Sequence, residues 1–235
     1  MVVPHAGYAY SGDIAARAFF ELARERSPAS VLILGVDHHA MGRTASLSDV
    51  DWETPLGIVP VDRDLLRALD RPPIEIDESA HEAEHSIEVE LPFLQYVEPK
   101  PRFAALMVPF RPLAALREVA RVVAEAIRGR DVLLIASTDF SHYVPASVAR
   151  TLDRHAIDRI LALDGRGLYE TVVREEISMC GIAPTTVLLE ALAGEPLVAR
   201  LLAWGHSGEV EPMREVVGYA SIVLESAAPA SSTSG

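Results

Sequence analysis

The segment Ser30-Val31-Leu32-Ile33-Leu34-Gly35-Val36 has no charged residue and is apolar at nearly every position. Such a run predicts a strand buried on both faces, because a strand with one face in water would alternate apolar and polar residues. Phe103–Phe110 and Asp131–Ala136 are likewise nearly continuous in apolar residues. Three runs of this kind, separated by longer stretches, predict a central sheet whose strands are mostly parallel.

Amphipathic stretches lie between and around these runs, and each is long enough to form a helix. The predicted helices are Asp13–Arg26, Pro112–Arg128, Ser147–Leu163 and Thr185–Leu192. Pro112 suits a first helical turn, and Ser147 suits an N-cap. Gly129 and Gly194 follow the ends of their helices, as glycine commonly does. The chain therefore alternates strands with helices.

Two segments near the C-terminus, Leu197–Trp204 and Val216–Leu224, predict a final pair of strands. No linker or repeat divides the chain, so we predict one α/β domain over residues 1–225. Its sheet is mixed but mostly parallel, with helices on both faces. The small, polar segment Ser226–Gly235 cannot bury enough apolar surface to order itself, which predicts a disordered tail.

The charge balance limits the class of partner. Among 235 residues, 21 Lys and Arg stand against 34 Asp and Glu, a formal net charge of −13. This charge repels phosphate backbones and anionic lipid, so we expect no nucleic-acid or membrane partner and a small cationic or neutral ligand. No apolar run is long enough to span a bilayer, no secretory leader is recognisable, and Cys180 is the single cysteine. These features predict a cytoplasmic protein.

Histidines and an aspartate follow four of the predicted strands. They are His5 after Val2–Val3, His38 and His39 after Ser30–Val36, Asp139 and His142 after Asp131–Ala136, and His206 after Leu197–Trp204. Ligands of this fold class bind beyond the carboxyl ends of parallel strands, which share one edge of the sheet. A lone histidine in a loop is usually a solvated surface residue, but four such strand ends are better explained by a shared site.

Cys180 has two interpretations. It lies between two apolar segments and is followed by Gly181 and by the start of a helix. The positive end of a helix dipole would lower the pKa of the thiol and favour the thiolate, which is the form that metals bind. Free cysteine is also one of the most often buried residue types, so Cys180 could equally be a small core residue.

The pentapeptide His81-Glu82-Ala83-Glu84-His85 matches H-E-x-x-H. In zinc peptidases this pattern places two histidines one helical turn apart on zinc, with the glutamate as general base. Here Ile87, Leu91 and Leu94 form an apolar stripe that predicts a helix, although Pro92 argues against it. The pattern is short and glutamate is frequent in this stretch, so an accidental match is the main alternative.

Five motifs stand in order along the chain. They are Pro4-His5-Ala6-Gly7-Tyr8, Leu34-Gly35-Val36-Asp37-His38-His39, Glu84-His85-Ser86-Ile87-Glu88, Ser137-Thr138-Asp139-Phe140-Ser141-His142 and Cys180-Gly181. In order and spacing they resemble the Memo family, whose prokaryotic members are called AmmeMemoRadiSam system protein B. The resemblance covers Val2 to Leu224, and it implies a fold similar to the LigB-type class III extradiol dioxygenases.

The resemblance also implies the residues of a site. The metal ligands would be His5, His38 and Cys180, and the acid, base or supporting groups in the same pocket would be His85, Asp139 and His142. A thiolate in place of the carboxylate of a facial triad suits iron or copper redox chemistry, with zinc as the other option, and disfavours catechol cleavage. We further expect Asp139 to accept a hydrogen bond from His142, three residues later, and to fix its tautomer.

These implications lead to a metal-dependent, dioxygenase-like oxidoreductase as the expected function. One alternative is a non-catalytic binding module that holds a peptide or small molecule in the same pocket. A zinc peptidase that uses His81, Glu82 and His85 is the other. The resemblance implies further proteins of the AmmeMemoRadiSam system as partners. Family members usually carry a segment before the motif at Pro4–Tyr8, so we expect a short first strand here.

Overall fold

The computed structural model describes residues 1–24 and 27–227. Its strands are β1 (Val2–Val3), β2 (Ser30–Val36), β3 (Ala45–Leu47), β4 (Trp52–Thr54), β5 (Gly57–Val59), β6 (Ile74–Ile76), β7 (Phe103–Val108), β8 (Val132–Ser137), β9 (His142–Val144), β10 (Leu197–His206) and β11 (Val216–Ser226). Its α-helices are α1 (Tyr8–Arg24), α2 (Arg63–Leu69), α3 (Leu91–Val97), α4 (Leu113–Ile127), α5 (Ala146–Leu161), α6 (Gly165–Arg174) and α7 (Ile182–Ala191). Short 3₁₀ helices cover Glu78–Ala80, Glu88–Glu90 and Ser207–Glu209.

The central sheet has the strand order β10-β11-β1-β8-β2-β7-β3-β6, and β9 adds to β11. Its middle is parallel: β1 pairs with β8, β8 with β2, and β2 with β7. Antiparallel pairs flank it, since β11 pairs with both β1 and β10, and β3 pairs with β7. The predicted α/β fold with a mixed, mostly parallel sheet is therefore confirmed, as is the final strand pair.

Residues of β2 alternate between two hydrophobic cores. Leu32 and Leu34 lie in a core that also contains the buried faces of α4, α5 and α7. Val31 and Ile33 lie in a second core, together with residues of α1 and α3. Helices thus cover both faces of the sheet, which explains why the central strands are apolar throughout.

The predicted bounds differ from the structure in several places. Helix α1 begins at Tyr8, five residues before the predicted start at Asp13. Helix α6 was not predicted, because Gly165 and Gly167 in its first turn are poor helix formers; the Asp164 side chain caps it by accepting the backbone N–H of Gly167.

The predicted disordered tail, Ser226–Gly235, lies mostly outside the described residues, which end at 227. Within the described part, Ser226 is the last residue of β11 and pairs with Leu197 of β10. No helix in the described ranges combines the length and the apolar character that crossing a membrane requires.

Candidate metal centre

Three donor atoms meet at the edge of the sheet where β1 and β2 end. They belong to His5, which follows β1, to His38, which follows β2, and to Cys180, which precedes α7. These atoms all lie within 4.8 Å of one another. Bonds of roughly 2.1 Å to nitrogen and roughly 2.3 Å to sulfur place two ligands of one ion roughly 3–3.6 Å apart. Nε2 of His5 is 3.3 Å from Sγ of Cys180, so this pair of donors lies at the separation that one metal ion requires.

His5 is buried, and hydrogen bonds hold both its backbone and its ring. Its backbone N–H donates to Oδ1 of Asp139 at 2.9 Å, and its Nδ1 is 2.8 Å from Oγ of Ser137. The Ser137 hydroxyl donates to Oε1 of Glu90 at 2.8 Å, so its oxygen is left to accept from Nδ1. Burial lowers the pKa of His5 well below its ordinary value, and the nearby imidazoles of His38 and other histidines lower it further. The ring is therefore neutral, with the lone pair on Nε2.

His38 is held by Glu84. The Glu84 carboxylate accepts the backbone N–H of His38 at 2.8 Å and lies 3.0 Å from its Nδ1. It also accepts the backbone N–H groups of His85 and Ser86, each at 2.9 Å. Although burial opposes the charge, these hydrogen bonds lower the pKa of Glu84 to about 2. A carboxylate on Nδ1 leaves Nε2 free for a metal, an arrangement common around metal-binding histidines.

Glycine in β2 allows the Glu84 turn to approach this strand. A Cβ at Gly35 would lie 2.6 Å from Cγ1 of Ile87 and 2.8 Å from Oγ of Ser86. Ser86 in turn bonds both the N–H and the carbonyl of Val36 through its hydroxyl. The close approach fixes the position of Glu84 relative to His38.

Cys180 is brought to the site by a second close approach. A Cβ at Gly181 would lie only 2.2 Å from Cβ of Thr138, whose hydroxyl accepts the N–H of Gly181. The backbone N–H of Asp139 donates to Sγ at 3.2 Å. Burial, followed by the charge of Asp139, raises the pKa of the Cys180 thiol to about 12. The expectation that the helix N-terminus lowers this pKa is wrong for the metal-free protein, because desolvation outweighs the dipole.

His85 lies beside His5 and His38. Its ring stacks on His38 at a centroid distance of 5.1 Å and meets His5 edge-on at 5.4 Å. About half of its side chain is exposed, and its Nδ1 is 3.4 Å from Oε1 of Glu84. Burial lowers its pKa, although Glu84 opposes the shift. His85 is thus a neutral, accessible imidazole beside His5 and His38.

The predicted hydrogen bond between Asp139 and His142 is wrong. Nδ1 of His142 instead lies 2.8 Å from the carbonyl oxygens of Phe140 and Ser178, and no hydrogen bond joins it to Asp139 within residues 27–227. Since a carbonyl can only accept, Nδ1 carries a proton, and in the neutral ring the lone pair lies on Nε2. Asp139 faces the backbone of His5, and burial raises its pKa to about 6.

The zinc-peptidase geometry is absent from the H-E-x-x-H segment. Residues 81–87 form turns rather than a helix, and α3 begins only at Leu91. His81 is buried beside Trp52, where its Nε2 bonds the carbonyl of Ser46 at 3.1 Å. Glu82 is exposed. The helical prediction failed because the Glu84 side chain bonds backbone N–H groups of this segment and so stabilises a turn.

The remaining predicted residues lie elsewhere. His206 packs against Trp204, and its Nε2 is 3.7 Å from Oε1 of Glu209. His39 is exposed. Sequence reasoning missed the supporting roles of Ser137 and Glu90, since only the pairing of β1 with β8 brings Ser137 to His5.

Comparison with known proteins agrees with these motifs. The family profile described as "Memo-like protein" matches residues 1–223. MEMO1 family protein MK0963 from Methanopyrus kandleri is 42% identical over 232 residues, which cover 95% of this chain and 82% of that protein. MEMO1 family proteins from Methanothermobacter thermautotrophicus and Methanosarcina barkeri are each 40% identical, covering 94% and 95% of this chain and 83% and 85% of theirs.

A solved structure shares the fold. The crystal structure of uncharacterized protein JW3007 from Escherichia coli K12 aligns with a TM-score of 0.56 at 16% identity, covering 88% of this chain and 92% of that one. This likeness concerns the architecture alone. The profile match over nearly the whole chain and the relatives near 40% identity show that the chain belongs to the Memo family.

Proposed function

We propose that this protein is a metal-dependent oxidoreductase that holds iron or copper through His5, His38 and Cys180. The observation that carries the proposal is the convergence of a thiol and two imidazoles whose donor atoms lie within 4.8 Å of one another. Both imidazoles are bonded at Nδ1, so both offer Nε2. A bound iron or copper ion would supply one-electron redox chemistry, which a thiolate ligand suits; zinc is the remaining option.

His142 and His85 are the groups that would move protons at this site, since the charge of either imidazole acts on His5 and lowers its pKa. The carbonyls of Phe140 and Ser178 hold His142 in the tautomer that accepts a proton at Nε2. His85 is half exposed and stacks on His38, so it can exchange protons with solvent. Asp139 accepts the backbone N–H of His5, whereas Nδ1 of His142 bonds the carbonyls of Phe140 and Ser178.

A cleft of about 440 Å³ opens beside His85. It is lined by Trp52, by His81 and by the glutamates Glu53, Glu78, Glu82, Glu84 and Glu88. None of the described residues that line it is lysine or arginine. Carboxylates around an aromatic ring favour a cationic or neutral ligand, in line with the net charge of −13.

This cleft also supports the second candidate function, a non-catalytic binding module that holds a small molecule or peptide. Partner proteins of the AmmeMemoRadiSam system and a cytoplasmic location stay predictions that rest on the family resemblance and on the sequence. Oxygen consumption separates the two candidates, because only an oxidoreductase consumes oxygen or cycles with an added reductant.

The metal content of protein purified without oxygen tests the proposal. We expect about one iron or copper per chain in the wild type and loss of that metal on replacing His5, His38 or Cys180 by alanine. His81→Ala is the matched control, since His81 bonds Ser46 and does not belong to the three-residue ligand set. If His81→Ala loses metal as completely as His38→Ala does, the assigned ligand set is wrong.

A further inference from the structure

Glu90 is a buried carboxyl group that the ligand set does not use. It ends the 3₁₀ helix Glu88–Glu90, and none of its surface is exposed. Its Oε1 accepts one hydrogen bond, from Ser137, and its Oε2 has no partner among the described residues. Burying a carboxyl group that accepts a single hydrogen bond costs free energy of folding, and such a group in a native protein usually has a functional reason.

Ser137 connects Glu90 to the metal centre. It ends β8 and pairs in register with Val3 of β1, two residues before His5. Its Oγ lies 2.8 Å from Oε1 of Glu90 and also 2.8 Å from Nδ1 of His5. A hydroxyl has one proton, so a serine that donates to Glu90 can only accept from His5. Nδ1 must then carry the ring proton.

The direction of this hydrogen-bond chain decides whether Nε2 of His5 carries a lone pair or a proton. With the proton on Nδ1, the lone pair of Nε2 lies 3.3 Å from Sγ of Cys180. If the serine hydroxyl turned and donated to Nδ1 instead, the ring proton would lie on Nε2, and His5 could not bind a metal there. An acceptor on the far side of Ser137 is therefore required to keep the hydroxyl pointing away from His5.

We propose that Glu90 is a positioning residue, which acts through Ser137 to keep His5 in the Nδ1–H tautomer and so directs Nε2 at the metal position. The proposal rests on the proposed function, because it concerns one of the assigned ligands. Glu90 acts through the oxygen that accepts the hydrogen bond from Ser137. Glutamine, which keeps an acceptor oxygen, should therefore replace it, and leucine should not.

The test compares Glu90→Gln, Glu90→Leu and Ser137→Ala with the wild type in two measurements. Ring ¹⁵N shifts of labelled histidines report the tautomer in the metal-free protein. Competition with a chelator under anaerobic conditions reports the affinity for Fe(II) and for Cu(I). We expect wild type and Glu90→Gln to show the Nδ1–H form and affinities within about threefold. In Glu90→Leu and Ser137→Ala we expect mixed tautomers and roughly 10- to 100-fold weaker binding.

The ring of His38 is an internal control, because Glu84 rather than Glu90 holds it. General disruption of the site would change the His38 signals as well, which would overturn a specific role for Glu90. An unchanged tautomer and affinity in Glu90→Leu would also overturn it. If Glu90→Leu does not fold, Glu90→Ala takes its place in both measurements, since it also removes the oxygen to which Ser137 donates. A wild type that binds neither metal would refute the proposed function, while the tautomers would still report whether Glu90 orders His5.

Discussion

Replacing Glu84 by glutamine should destabilise the metal-free protein by an amount that depends on pH. The pKa of Glu84 is held at about 2 instead of its ordinary 4.5. Each tenfold difference in proton affinity between folded and unfolded states is worth about 1.4 kcal/mol, so the carboxylate contributes about 3 kcal/mol. Glutamine removes the charge that His38, His85 and Ser86 all donate to.

The sign of the pH dependence follows from the lowered pKa. The contribution is fully present above the unfolded pKa of 4.5 and is lost as the pH falls through the folded value of about 2. Urea unfolding of wild type and Glu84→Gln should thus differ most at pH 6 and progressively less below pH 4.5. Glu88→Gln is the matched control, because Glu88 is exposed in the same motif and should change the stability by less than about 0.5 kcal/mol.

A difference between wild type and Glu84→Gln below about 1 kcal/mol at pH 6 would refute this reasoning. So would a difference that does not shrink in acid, since it would show that lost packing rather than lost charge is being measured.

Three further predictions concern the site. His142→Ala should leave the metal content unchanged and suppress oxygen consumption, and a loss of metal would show that His142 is a ligand. Gly181→Ala should lower the free energy of unfolding by roughly 1–3 kcal/mol and lower the metal content, because its Cβ would collide with Thr138. Gly7→Ala is the control and should bind metal normally, since its Cβ would meet only Tyr10, at 3.9 Å. Titration calorimetry should show a lysine-containing peptide binding several-fold more weakly to Glu82→Gln than to the exposed control Glu195→Gln, and equal weakening would refute a cationic ligand in the cleft.

The centre of the fold could be predicted from the sequence because burial on both faces leaves an unbroken apolar run. The predicted strand Ser30–Val36 has the same first and last residues as β2, and β7 and β8 begin within one residue of their predicted starts. Short strands such as β3 and β6, of three residues each, carry too few positions to show a period.

The edge of the sheet that carries the site was also predictable, since parallel strands share their carboxyl ends. The local sequence did not predict the hydrogen-bond partner of each side chain. The spacing of Asp139 and His142 predicted a hydrogen bond between them, but Ser178, from a distant segment, supplies a carbonyl to His142 instead. The helix after Cys180 predicted a lowered thiol pKa, but burial depends on the whole fold and raises it.

His5 and His38, the two proposed histidine ligands, are supported in different ways by the surrounding residues. Glu84 holds His38 directly with a full charge and also bonds the backbone of the turn, so it contributes both to folding and to the basicity of a ligand. The chain from Glu90 through Ser137 reaches His5 through one hydrogen bond at each step and orders one ring. Loss of Glu84 should therefore weaken both folding and metal binding, whereas loss of the Glu90–Ser137 link should weaken mainly metal binding.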